Sequence, residues 1–260
     1  MTWCHATFLH HIFLAFISSV ILLLPVLGKT QTISGNTTEK SDVTLALLRV
    51  GATWNCRPHA LSRLAWEVRK RTSIAVHLTP VSVTPQSDDL FSYPLLMWMG
   101  ETEVPPLPED AVLRLRQHLS RGGTLFIDLS DGNPGGTFDR SVRRELSRVW
   151  PDASLARIPN DHVLYQSFFL LDRHGGRVPA KPYLEGIFID NRLAVVLSSN
   201  DLAGALSRDE FGQWQFDLGP GESVTREVSF RLAINLLMYA LCLDYKGDQV
   251  HIPFILQRRR

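Results

Sequence analysis

Residues 95–129 read LLMWMGETEVPPLPEDAVLRLRQHLSRGGTLFIDL. Two apolar runs, 95–99 and 124–129, enclose a segment in which Val112, Leu115 and Leu119 recur at helical spacing. Pro108, Glu109 and Asp110 mark the start of that helix, and Gly122 and Gly123 its end. Strands with no polar alternation are buried on both faces, and a helix linking two of them is the crossover of a parallel pair. This βαβ unit is the kernel of the fold.

The same alternation extends both ways. Residues 43–50 form a β-branched and Leu-rich strand, and Leu61, Leu64, Ala65 and Val68 mark one face of a helix whose wet side carries Arg63, Glu67 and Lys70. A short second strand is expected at 74–78. Downstream, Phe138, Val142, Leu146 and Val149 line a helix that ends before Pro151. Two β runs, 184–189 and 193–198, are joined through Asp190-Asn191-Arg192 as a tight reversal. A final helix, about 225–243, is apolar nearly all round apart from Arg231 and Asn235. The expectation is an α/β fold: a three-layer, doubly wound, mostly parallel sheet in a single flavodoxin-like domain at 43–260.

Charge is distributed unevenly. The chain has 260 residues, with 27 Lys+Arg against 26 Asp+Glu, yet none of these lies in the first 28 residues. The near balance gives no electrostatic footprint for nucleic acid. Residues 12–27 form an apolar run, short for a spanning helix and suited to a signal peptide. We therefore expect a signal peptide at 1–28, a Thr/Ser-rich flexible linker at 29–42, and a periplasmic or secreted mature protein. The alternative is an N-terminal anchor in the inner membrane, facing the periplasm. An oxidising compartment would permit a bond between Cys56 and Cys242, but two cysteines make no framework. Cys242, in an apolar helix, reads as a small buried hydrophobe. The terminal Arg258, Arg259 and Arg260 read as a solvated tail.

In open α/β sheets, ligands sit beyond the carboxyl ends of the strands. That rule selects 51–57, Gly100 and Glu101, 128–136, and 198–201. The stretch 128–136, DLSDGNPGG, carries Asp128 and Asp131 among turn-formers and could hold a metal or cradle an anion. It matches no EF-hand, P-loop or dinucleotide fingerprint, and a plain β-to-α turn is the favoured reading. His162 follows Asp161 directly, a candidate base or ligand beside a carboxylate. Adjacent residues of an extended segment face opposite ways, however, so a capping or turn role competes. Asn200, Asp201 and Arg192 are candidate ligand-binding residues. No nucleophile elbow, zinc spacing or paired Cys-x-x-Cys is present, so no metal and no cofactor are implied.

Several segments carry a resemblance: YPL (93–95), RGGTLFID (121–128), PNDH (159–162), SFF (167–169), LEGI (184–187), NR (191–192), ND (200–201), RLAINLLMY (231–239) and YKGDQVHIPFILQRRR (245–260). Together they resemble the bacterial domain of unknown function 4159. The resemblance implies a class I glutamine-amidotransferase-like α/β domain. In that fold class the nucleophile is a Cys at a sharp turn after a central strand; here Asp128-Leu129-Ser130 stand in its place, so the resemblance implies the fold without that activity. It also implies a neighbourhood of von Willebrand A-type membrane proteins and MoxR-type ATPases, hence envelope partners.

The expected function is an exported, non-catalytic ligand-binding or envelope-assembly module. The alternative is a hydrolase or sugar-processing enzyme in which Asp128, Asp131, Asp161 and His162 converge at the strand-end cleft. A weaker option is partner docking through the late hairpin and the basic C-terminus.

Overall fold

The computed structural model describes residues 42–249. The expected signal peptide (1–28), all but the last residue of the linker (29–42) and the arginine tail (258–260) lie outside them. Seven strands form one sheet in the order β2-β1-β3-β4-β7-β6-β5. They are β1 (Ala46–Leu48), β2 (Val81–Val83), β3 (Leu95–Gly100), β4 (Thr124–Leu129), β5 (Ala156–Arg157), β6 (Glu185–Ile189) and β7 (Arg192–Ser198). The five strands from β2 to β7 run parallel, and β6 and β5 add an antiparallel edge.

The kernel has the expected form: β3 and β4 pair in parallel, Leu95 opposite Thr124 and Gly100 opposite Leu129, with every residue of both strands buried. Successive side chains point to opposite faces of a strand. Leu95, Met97 and Met99 accordingly pack with α1 (Ala60–Arg71), α4 (Leu202–Leu206) and α5 (Glu222–Gln249). Leu96 and Trp98 pack with α2 (Glu109–Ser120) and α3 (Thr137–Val149). Two separate cores thus sandwich the sheet, which is the three-layer, flavodoxin-like arrangement. On α3 the expected stripe Phe138, Val142, Leu146 and Val149 is fully buried, each side chain worth roughly 1.5–3 kcal/mol relative to exposure. Phe138 meets Trp98 edge-on at 5.9 Å. It also explains Gly100: a Cβ there would lie 2.2 Å from the Phe138 ring.

Three expectations are corrected. The second strand is Val81–Val83, whereas Val76 makes only an isolated bridge to Val43. An edge strand this short and half-exposed leaves little periodicity, and the apolar run before Pro80 gives the stronger signal. The last helix begins at Glu222 and reaches Gln249, longer than its apolar stretch. Cys242 is exposed, and both Cys56 and Cys242 are free thiols. The hairpin turns as expected: Asp190 (φ 49°) and Asn191 (φ 62°) are both left-handed, the two-residue loop that suits the twist of the flanking strands. No helix of the described residues is long and apolar enough to cross a membrane.

Candidate functional site at the strand ends

The chain leaves β1 toward β2 on one side and leaves β3 toward β4 on the other. A crevice opens where neighbouring connections diverge in this way. The loop after β1 brings Arg57 into it, and the loop after β3 brings Glu101. Thr53 ties the two loops together, its hydroxyl accepting from the Glu101 backbone N–H at 3.0 Å.

Arg57 is 5% exposed, and its guanidinium is completely engaged. Nε donates to Asp201 Oδ1 at 3.2 Å and Nη2 to Asp201 Oδ2 at 2.9 Å. Nη1 donates to Glu101 Oε1 at 2.8 Å and to the Cys56 carbonyl at 2.9 Å. Nη2 also donates to the Ser130 carbonyl at 2.8 Å. A guanidinium has five N–H donors, and all five are used.

Asp201, just beyond β7, is fully buried and left-handed (φ 49°, ψ 62°), a conformation that an Asx residue tolerates. Besides Arg57 it accepts from Arg177 Nε and, at 2.9 Å, from the Gly204 N–H. Asp128, at the end of β4, accepts from the N–H groups of Leu202 (2.9 Å) and Ala203 (2.8 Å), one on each oxygen. The two carboxylates therefore cap the first turn of α4 between them. Complete burial, with Asp201 close by, pushes the Asp128 carboxyl up to about 7 against the pull of those two N–H donors.

Arg177 reaches the cluster on a strap. Its own N–H donates to the Asp201 carbonyl at 3.0 Å, and Val178 N–H donates to the Asn200 carbonyl at 2.9 Å. Gly176 precedes it at φ 137°, where a Cβ would lie 2.3 Å from the Asn200 oxygen, so only glycine lets the strap run this close. Over the top, the Phe216 ring sits 4.7 Å from the Arg57 guanidinium and 4.8 Å from that of Arg177. Phe216 belongs to the loop between α4 and α5, which closes the crevice.

Chemically, the crevice holds two guanidinium groups and three carboxylates: Arg57 pairs with Asp201 and Glu101, Arg177 pairs with Asp201, and Asp128 is held by backbone donors instead. Burial pushes the Cys56 thiol up to about 11, far from thiolate at neutral pH. Both oxygens of Asp128 are spent on backbone donors. Among the described residues, the buried Ser199 hydroxyl has no hydrogen-bond partner. Among the described residues, no group of three or more His, Cys, Asp or Glu side chains is placed to hold a metal ion.

Of the residues singled out from sequence, Asp128 and Asp201 come together here. Asn200 is buried beside them, its side chain accepting from the Lys181 N–H and donating to the Lys181 carbonyl, each at 2.8 Å, so it anchors the strap. Asp131 folds back on its own turn, accepting from Asn133 N–H at 3.2 Å. Arg192 lies at the opposite end of β7, donating to the Gly123 carbonyl at 2.9 Å and to that of Leu119, where it closes the C-terminus of α2.

Asp161 and His162 are also at that far end. His162 Nδ1 accepts from Leu164 N–H at 3.1 Å and caps a short 3-10 turn, Val163–Gln166. Its ring lies 5.6 Å from both Phe188 and Tyr239. The Tyr239 hydroxyl accepts from the N–H of Leu193, at the start of β7, whereas Asp128 pairs with Ser198 at its end. Those strand positions are about 16 Å apart at ~3.3 Å per residue. The convergence of Asp128, Asp131, Asp161 and His162 does not occur. Arg57 and Glu101 fall in loops that the strand-end rule selects, but Arg177 and Phe216 do not. For Arg177 the available signal was the Gly175-Gly176 pair before it; for Phe216, in an irregular loop, there was none.

No curated protein matches the chain. A family model described as Domain of unknown function (DUF4159) matches residues 44–241, from the first strand to within the last helix. The chain belongs to that family.

Proposed function

We propose that this protein is an exported, non-catalytic binding or envelope-assembly module built on an amidotransferase-like frame from which the nucleophile is gone. One observation carries the reading: the crevice where this architecture would bind and transform a ligand is filled by Arg57, whose five N–H donors are all engaged. At the place of the amidotransferase nucleophile stands Asp128, held by two backbone N–H groups. The neighbouring thiol, Cys56, is protonated at neutral pH. Export rests on the uncharged, apolar leader.

The hydrolase alternative needed the strand-end acids beside His162, and these are at opposite ends of β7. The test is complementation in cells deleted for the chain. Cys56→Ser and Asp128→Asn, each verified as folded and exported, should restore the wild-type envelope phenotype. A folded, exported Asp128→Asn or Cys56→Ser protein that behaves as a deletion would overturn the reading.

A further inference from the structure

At the end of the sheet opposite the strand-end crevice, a cavity of about 340 Å³ opens beside α5. Three pieces of chain enclose it: residues 91–94 before β3, residues 121–123 before β4, and Ala240 and Leu241 of α5. Tyr93, Pro94 and Leu241 are only half-buried, so apolar surface of each is still open. Phe91 is already covered, with the guanidinium groups of Arg114 and Arg121 at 5.1 and 4.6 Å from its ring. Gly122 and Gly123 bring no side chain into the space.

The chain itself supplies a segment that matches. Beyond Gln249, where α5 ends, the sequence continues VHIPFILQRRR. Six of the seven residues 250–256 are apolar, and three arginines follow Gln257. Folded domains seldom leave an apolar run of that kind in water, so it calls for a cover. Pro253 lacks an N–H and biases the residue before it toward extended backbone, so the run does not prolong α5.

Reach and charge both favour this cavity. From Leu241 to Gln249 the helix carries the chain about 12 Å past it. Extended backbone from Gln249 to Phe254 spans up to ~17 Å, enough to bring Phe254 back to the level of Leu241. Arg258 follows within a further ~13 Å. At the cavity rim, Asp89 accepts from the Tyr93 hydroxyl at 2.8 Å, and among the described residues neither it nor the adjacent Asp88 has an ion-pair partner. Both are exposed. An apolar cavity edged by two unpaired carboxylates is complementary to an apolar run that ends in three arginines. A tethered segment also meets the site at an effective concentration on the order of millimolar, which favours it over a second copy.

We propose that residues 252–256 fold back into this cavity, with Phe254 against Tyr93, Pro94 and Leu241, and with Arg258, Arg259 and Arg260 beside Asp88 and Asp89. The C-terminal segment thereby straps the last helix to the loops that enter β3 and β4. This holds whether or not the strand-end crevice reacts.

The direct test places the photoreactive residue benzoylphenylalanine at position 254 of the otherwise unchanged mature chain, residues 29–260. Irradiation of the purified protein should join it, within one chain, to a peptide holding 91–94 or 240–241, in a yield independent of protein concentration. Asp88→Lys combined with Asp89→Lys, both exposed, should lower that yield several-fold with unchanged circular dichroism. In hydrogen exchange, Phe254→Asp should speed the Ser92 and Tyr93 amides about tenfold and leave β3 and β4 unchanged. A product formed only between two chains would identify a second copy as the occupant and overturn the proposal. Transfer of the label to phosphatidylglycerol vesicles in place of the intramolecular product would overturn it in favour of a membrane. Attachment elsewhere on the chain, unchanged yield in the lysine variant, or unchanged exchange in Phe254→Asp would overturn it too.

Discussion

Replacing Asp201 by Asn removes one charge from the strand-end cluster while keeping a residue that tolerates the left-handed backbone at φ 49°. The change thus separates electrostatics from strain. Asp201 is fully buried and receives Arg57 at 3.2 and 2.9 Å, Arg177, and the Gly204 N–H at 2.9 Å. Arg57, at 5% exposure, would be left with Glu101 as its only carboxylate, and that partner lies at the solvent edge. Removing one member of a buried pair costs about 3–5 kcal/mol, mostly because the remaining charge stays desolvated. The amide oxygen can still accept one donor, so we expect a loss of ~3 kcal/mol. Urea unfolding at pH 7, followed by circular dichroism, would show this as a midpoint lowered by on the order of 1 M. The companion variant Arg57→Met, combined with Asp201→Asn, should unfold at less than the sum of the two losses, because the stranded guanidinium is then absent. A single-variant loss below ~0.5 kcal/mol, or strict additivity in the double variant, would refute the idea that the cluster holds the crevice closed.

Three further outcomes follow from the same geometry. Gly100→Ala places a methyl 2.2 Å from the Phe138 ring and should cost ~1–3 kcal/mol by thermal unfolding, with most of the loss recovered by adding Phe138→Leu. Burial pushes His118 down to about 4, so the folded protein keeps it neutral while the unfolded chain protonates near the ordinary value. Stability should therefore fall as pH drops from about 6.5 toward 4, by ~2–4 kcal/mol in all, and urea midpoints of His118→Gln should lack that part of the slope. Finally, iodoacetamide at neutral pH should label the exposed Cys242 well before Cys56, whose thiol stands near 11; peptide mass spectrometry showing Cys56 labelled first would contradict that environment.

The fold was legible because its strongest signals are long and redundant. Strands β3 and β4 are six-residue apolar runs, and α2 carries both its start and its stop residues. The two-residue β5 is exposed and has no pattern to read. The 3-10 turn at Val163–Gln166 is set by a side-chain cap and by Asn235, which donates to the Leu164 and Phe169 carbonyls from 71 and 66 residues away. For the site, the strand-end rule reached Arg57, Glu101, Asp128 and Asp201, since topology alone decides which loops meet. It could not reach Arg177, which arrives on a strap between strands, or Phe216, whose position depends on how its loop folds over both guanidinium groups. His162 misled because a histidine beside a carboxylate is also a good turn cap, and only the strand register reveals which end of the sheet it occupies.

On the function proposed above, the strand-end crevice is a structural charge cluster and not a reaction centre. The most direct measurement is complementation by a protein whose cluster is neutralised throughout: Arg57→Met, Arg177→Met, Asp201→Asn and Glu101→Gln together. Replacing a whole buried ion network by uncharged groups is often tolerated where removing one member is not. This variant, once shown to be folded and exported, should restore the wild-type phenotype. A folded, exported variant that fails to do so, while matching the wild type in stability, would contradict it.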